Sequence, residues 1–105
     1  MFISDNLAEE YSSIYSSRGG EKLYRYIIGK GIILSSEIAY PELILLDQSE
    51  KFFILYRKTG DVKNFEIATI LRRAAHKIYR EFARMYKRND LDYPINNRFL
   101  NIIRN

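Results

Sequence analysis

Residues 41–60 read PELILLDQSEKFFILYRKTG, and the fold class turns on what this stretch becomes. Leu43 to Leu46 and Phe52 to Tyr56 are near-continuous apolar runs on either side of the polar segment Gln48-Ser49-Glu50, with Thr59-Gly60-Asp61 closing the stretch. Apolar runs of this length bounded by polar residues predict two strands, over 42–47 and 51–58, joined by a polar loop. Because the runs are continuous rather than alternating, they predict central strands covered on both faces. Pro41 cannot donate to a strand ladder and suits a strand start.

Toward the N-terminus, Leu23-Tyr24-Arg25-Tyr26-Ile27-Ile28 mixes aromatic and β-branched residues, and Gly29-Lys30-Gly31 then leads into Ile32-Ile33-Leu34. The glycines fit either a hairpin turn or the bounds of a short helix, and the strand reading is adopted. Together these segments predict a three- or four-stranded antiparallel meander across residues 22–58. Further back, Ser4 or Asp5 caps a helix over residues 6–16, with Leu7, Tyr11 and Ile14 on one face and Gly19-Gly20 at its end.

Toward the C-terminus the period changes. Ala68, Leu71, Ala75, Ile78, Phe82 and Met85 recur every three or four residues, which predicts one long amphipathic helix over residues 62–88, widened by Tyr79 and Tyr86. Residues 94–103 predict a short terminal helix docked by Phe99, Leu100 and Ile103. The expected fold is therefore α+β in a single domain spanning residues 1–105: an N-terminal helix, the meander, the long basic helix and a short C-terminal helix.

A chain of 105 residues, 47% of them apolar and 14% aromatic, carries enough surface to bury for one folded core. It has no cysteine, which removes disulfide scaffolds, thiolate metal sites and cysteine nucleophiles. The single histidine, His76, sits beside Lys77 and near Arg73, so a nitrogen/sulfur zinc site and a histidine-based triad are set aside. Glu9, Glu10, Glu37, Glu42, Asp47, Glu50, Asp90 and Asp92 show no spacing that fixes two carboxylates on one rigid face, as metal-dependent nuclease chemistry needs. The glycine pairs lack the strand–loop–helix context of a phosphate-binding loop. No cofactor, no metal and no catalytic residue is expected. The first residues lack the basic and then apolar segments of a signal peptide, and no apolar run reaches the ~18 residues of a membrane span, so a cytoplasmic protein without a membrane partner is expected.

Charge is the informative feature. Residues 1–61 hold 7 Lys/Arg and 9 Asp/Glu, whereas residues 62–105 hold 10 and 4, so the net +4 belongs to the C-terminal part. At about 100° per residue, Arg73, Lys77, Arg80, Arg84 and Lys87 share an arc opposite the Ala68–Met85 stripe, with Arg72 and Arg88 nearby. Such an arc either tracks nucleic-acid phosphates or is a solvated face whose stems cover apolar surface. No helix-turn-helix, finger or RNA-binding aromatic signature accompanies it, so any binding is backbone-directed. Tyr11, Tyr15, Tyr24, Tyr26 and Tyr56 can stack on bases, although aromatics in so small a domain mostly fill the core.

The expected function is that of a small non-enzymatic protein binding nucleic acid through the five basic residues. The alternative is a homo-oligomeric interaction or assembly module with no nucleic-acid role. A homodimer finishing the core through the three–four stripe, and an acidic protein partner for the basic face, belong to the same set of expectations.

Overall fold

The computed structural model describes the backbone over residues 5–34 and 40–85 and the side chains over 6–34 and 40–81. Four helices occupy these residues: α1 (Asp5–Arg18), α2 (Gly20–Leu34), α3 (Pro41–Thr59) and α4 (Val62–Met85). The described residues contain no strand, so the expected meander and the α+β class are corrected to an all-helical fold. The expected terminal helix over 94–103 and the last residues of the long helix, 86–88, lie outside the described residues.

The residues taken for two strands and a loop form one helix, α3, and local chemistry explains why. Four of its nine apolar residues are leucines, and Glu42, Gln48, Glu50 and Lys51 are also good helix formers. Gln48-Ser49-Glu50 contains none of the Gly, Pro or Asn that a reversal of chain direction favours. Pro41 occupies the first turn, where its missing N–H costs nothing, and Glu42 there and Arg57 and Lys58 in the last turn match the helix dipole. Gly60 ends the helix in the left-handed region, at φ 72°, and donates its N–H to the Tyr56 carbonyl at 2.7 Å. The buried residues Glu42, Leu45, Leu46, Ser49 and Phe52 fall at helical spacing. Ile54 points outward and is exposed.

The supposed hairpin is the single helix α2, whose buried residues Leu23, Ile27 and Gly31 recur every four positions. Gly31 is a site of close packing, not a turn: a Cβ there would collide with the Ile78 side chain and touch Leu45 Cδ1 at 3.4 Å. The actual break is Gly19, at φ 89°, a conformation other residues rarely adopt. Its N–H closes α1 on the Tyr15 carbonyl at 3.0 Å, and its carbonyl accepts the first bond of α2 from Leu23 at 3.2 Å.

Between α3 and α4, Asp61 caps the second helix: its carboxylate accepts the Lys63 N–H at 3.0 Å and its carbonyl the Asn64 N–H at 3.0 Å. Helix α4 is the hub, packed most extensively on α3, then on α2, and also on α1. Its buried side chains are Ile67, Ala68, Ile70, Leu71, Ala74, Ala75 and Ile78, a wider band than the expected stripe. Ala68, Leu71, Ala75 and Ile78 of that stripe are spent inside the chain. Where α3 crosses α4, the buried Ser49 hydroxyl donates to the Ala68 carbonyl at 2.7 Å. No helix of the described residues is long and apolar enough to cross a membrane.

Helix α1 is joined to its neighbours by polar as well as apolar contacts. Tyr11 is buried, stacks on Phe52 with centroids 6.0 Å apart, and donates its hydroxyl to Gln48 Oε1 at 3.1 Å. Burial raises the Tyr11 pKa, so the phenol stays neutral. On the surface side, Glu10 accepts from the Tyr26 hydroxyl and, at 3.4 Å, from Lys30 Nζ. The Tyr26 hydrogen bond holds the Glu10 carboxyl below its ordinary range; burial opposes it, and the charge and hydrogen bond of Lys30 each add a smaller lowering effect.

Two outcomes test this arrangement. Gly31→Val, which overfills the α2–α4 seam, should destabilise the fold by about 1–3 kcal/mol, whereas Gly29→Ala, on the open side of the same helix with nothing within 4 Å, should stabilise it by up to about 1 kcal/mol; thermal melts of the two variants should therefore move in opposite directions. The depressed Glu10 pKa contributes stability that is present above the unfolded value, near pH ~4.3, and is lost as pH falls through the folded value. Glu10→Gln and Tyr26→Phe should each flatten the acid limb of a stability–pH curve, and an unchanged limb in both would remove this pair from the account.

Candidate nucleic-acid interface on the outer face of α4

The wide buried band of α4 leaves one arc facing outward, and the sequence fills its second half with cations. Arg73, Lys77 and Arg80 are all exposed. The Arg73 guanidinium lies 4.7 Å from the Tyr24 ring centroid, so α2 supplies an aromatic rest for it. Lys77 Nζ is 3.0 Å from Glu81 Oε1 one turn on, with both side chains nearly half exposed (45% and 44%). An exposed i,i+4 pair of this kind is worth only a few tenths of a kcal/mol and leaves the lysine available to a stronger anion. Arg84 continues the arc on the backbone of α4, but its side chain and the whole of Lys87 lie outside the described residues. The structure thus brings three of the five expected residues onto one exposed face.

Two carboxylates of the acidic first half are paired away from this face. Glu10 is engaged by Tyr26 and Lys30, and Glu21 lies 3.6 Å from Arg25, so both serve α1 and α2.

Beside the arc, the half-buried Arg72 rests 5.7 Å over the Phe53 ring, and desolvation lowers its pKa without making it neutral near pH 7. His76 is also half-buried, and its pKa is pushed below the ordinary histidine range, first by burial and then by the charge of Arg80. It is neutral at pH 7 and adds no cation.

Sequence reasoning missed Phe65. It lies on the outer side of α4 two turns before Arg72, 42% exposed, with its ring 5.3 Å from Tyr56 and 5.6 Å from Phe53. The available signal was its position off the Ala68–Met85 stripe, where a polar residue is the ordinary occupant of an outward helix face.

A shallow cleft of about 420 Å³ lies elsewhere, lined by Ala8, Glu9, Ser12, Ser13, Ser16 and Asn64. Glu9 is the one acid–base group in that lining. Among the described residues no group of three or more His, Asp or Glu is placed to hold a metal ion. The chain matches no protein-family model, no curated protein and no solved structure.

The electrostatics of the face can be read at His76. Arg80→Gln removes a repelling charge but leaves burial in place, so the His76 pKa should rise while staying below that of an exposed histidine. An NMR titration of the ring protons checks this, and an unchanged or lowered value would mean that Arg80 does not face the imidazole.

Proposed function

We propose that this protein is a small non-enzymatic nucleic-acid-binding protein of the cytoplasm that contacts phosphates through the outer face of α4. The supporting observation is the joint exposure of Arg73, Lys77 and Arg80 on the arc opposite the core band. Each guanidinium or ammonium placed on a phosphate releases a condensed counterion, so affinity comes from the backbone and carries little sequence preference. Arg84 and Lys87 extend the same row in the sequence. An acidic protein would satisfy the same charges, but the spacing of cations at every helical turn suits the regular charge of a polynucleotide strand.

The test is binding of labelled DNA and RNA, single- and double-stranded, as salt rises from ~50 to ~200 mM. Neutralising three to five phosphates should cost roughly 20- to 500-fold in affinity over that range. The double variant Lys77→Glu/Arg80→Glu should bind more weakly and with a shallower salt slope. A flat salt curve, or no binding at ~50 mM, ends this reading. The assembly alternative draws on one observation, the exposure of the consecutive Ile32 and Ile33 (57% and 69%) at the end of α2. In that case sedimentation should show an oligomer that survives the charge reversals and is lost on Ile33→Lys.

A further inference from the structure

The outer side of the α3–α4 hairpin carries a row of π-systems that leads into the cations. Tyr56 and Phe65 lie 5.3 Å apart, Phe65 and Phe53 5.6 Å apart, and the Arg72 guanidinium stands 5.7 Å from Phe53. The ring–ring contacts are tilted or edge-on, at 58° and 74°, so they do not cover Phe65 face to face. With 42% of Phe65 exposed and Val62, one turn earlier, 58% exposed, this end of α4 presents apolar and aromatic surface where a helix normally presents polar residues. From Phe65 to Arg80 the helix rises roughly 22 Å; along that length Phe65 and Arg72 lie on the flank toward α3, Arg73 lies on the flank toward α2, and the exposed Lys77 and Arg80 follow, with Glu66 as the one carboxylate among them.

We infer that this face is a single-stranded nucleic-acid platform, in which a base stacks on Phe65 beside Tyr56 while the adjoining phosphates run along Arg72, Arg73, Lys77 and Arg80. The inference rests on the nucleic-acid reading above and narrows its ligand. Two complementarities in sequence along one helix face carry it. A single strand offers both an open base face and a charged backbone, whereas a duplex hides its base faces in its own stack. A protein partner would need anions and an apolar anchor in the same linear order, but a nucleotide chain has that order in every residue. Because every base has a π-face, stacking on Phe65 tolerates any sequence.

The test uses the full chain, dye-labelled oligo-dT and oligo-U strands, and a hairpin duplex of matched length. Single strands should bind at least about tenfold more tightly than the duplex, and Phe65→Ala should weaken single-strand binding about 5- to 100-fold while leaving the salt slope unchanged. Phe65→Trp should preserve affinity and place the only tryptophan of the chain at the stacking position. Its emission should be quenched by oligo-dT or oligo-U and not by the duplex, a readout that holds even if Phe65→Ala proves unstable in a thermal melt. Salt-dependent binding to both forms with equal affinity and an unquenched tryptophan would overturn the single-strand inference while leaving phosphate binding standing. Absence of binding to any of the three probes would overturn both.

Discussion

The fold depends on the breadth of the buried band on α4. Its buried side chains, from Ile70 on one flank through Ala74, Ile67, Ile78, Leu71 and Ala75 to Ala68 on the other, subtend roughly 160° of the helix circumference at 100° per residue. One neighbour cannot cover such a band. Helices must lie against both flanks, and α3 and α2 do so, with α1 completing the cover. The alanines in the band let backbones approach closely enough for Ser49 to reach a main-chain carbonyl across the α3–α4 seam. Gly31 performs the matching function on α2, where its missing side chain makes room for Ile78. Each of the larger apolar residues in this band contributes about 1.5–3 kcal/mol by leaving water, so the burial of α4 outweighs the cost of two glycines inside α2, about 0.5–1 kcal/mol each.

The joints around this hub are not alike. The α3–α4 seam is close-packed and held by a short hairpin whose turn is over-determined by Thr59, Gly60 and Asp61. Helix α1 is attached through the buried Tyr11 and the partly buried Leu7, Ile14 and Tyr15, together with a surface group of Glu10, Tyr26 and Lys30 that depends on charge and on exposed hydrogen bonds. Local opening follows the weakest set of buried apolar contacts, and α1 is less extensively packed on its neighbours than α2, α3 or α4.

Helix α4 was legible because polar and apolar residues alternate in it at helical period, and α1 because a capping residue, Ser4 or Asp5, and Gly19-Gly20 bound a segment with Leu7, Tyr11 and Ile14 on one face. In α2 and α3 the apolar residues go nearly all round, and period is lost as a signal. Two kinds of information then remained in the residues and pointed to helix. In α3 these were Pro41 and Glu42 at the start, Arg57, Lys58 and Gly60 at the end, and a middle segment, Gln48-Ser49-Glu50, without glycine, proline or asparagine. In α2 the glycines misled, because a glycine needed for close packing and a glycine needed for a turn look the same until the neighbour, Ile78, is in place. The basic arc was legible for the same reason as α4 itself. The position of Phe65 off the stripe was legible too, but its pairing with Phe53 and Tyr56 was not, because it depends on α3 being a helix packed against α4.

The placement of Arg72 and Arg73 bears on how the outer face could work. Arg72 and Arg73 are neighbours in sequence and so leave α4 on different sides, and long side chains normally lose rotamer freedom when they dock. Here the two guanidinium groups already rest on the rings of Phe53 and Tyr24, which limits their motion before any ligand arrives. The same contacts spread their charge along the two grooves that flank α4, toward α3 and toward α2. An anion laid along the helix would therefore meet cations whose positions are set by core-anchored aromatics. The elements that bury α4 on its inner side also order the charges on its outer side, and that coupling ties the fold to the proposed interface.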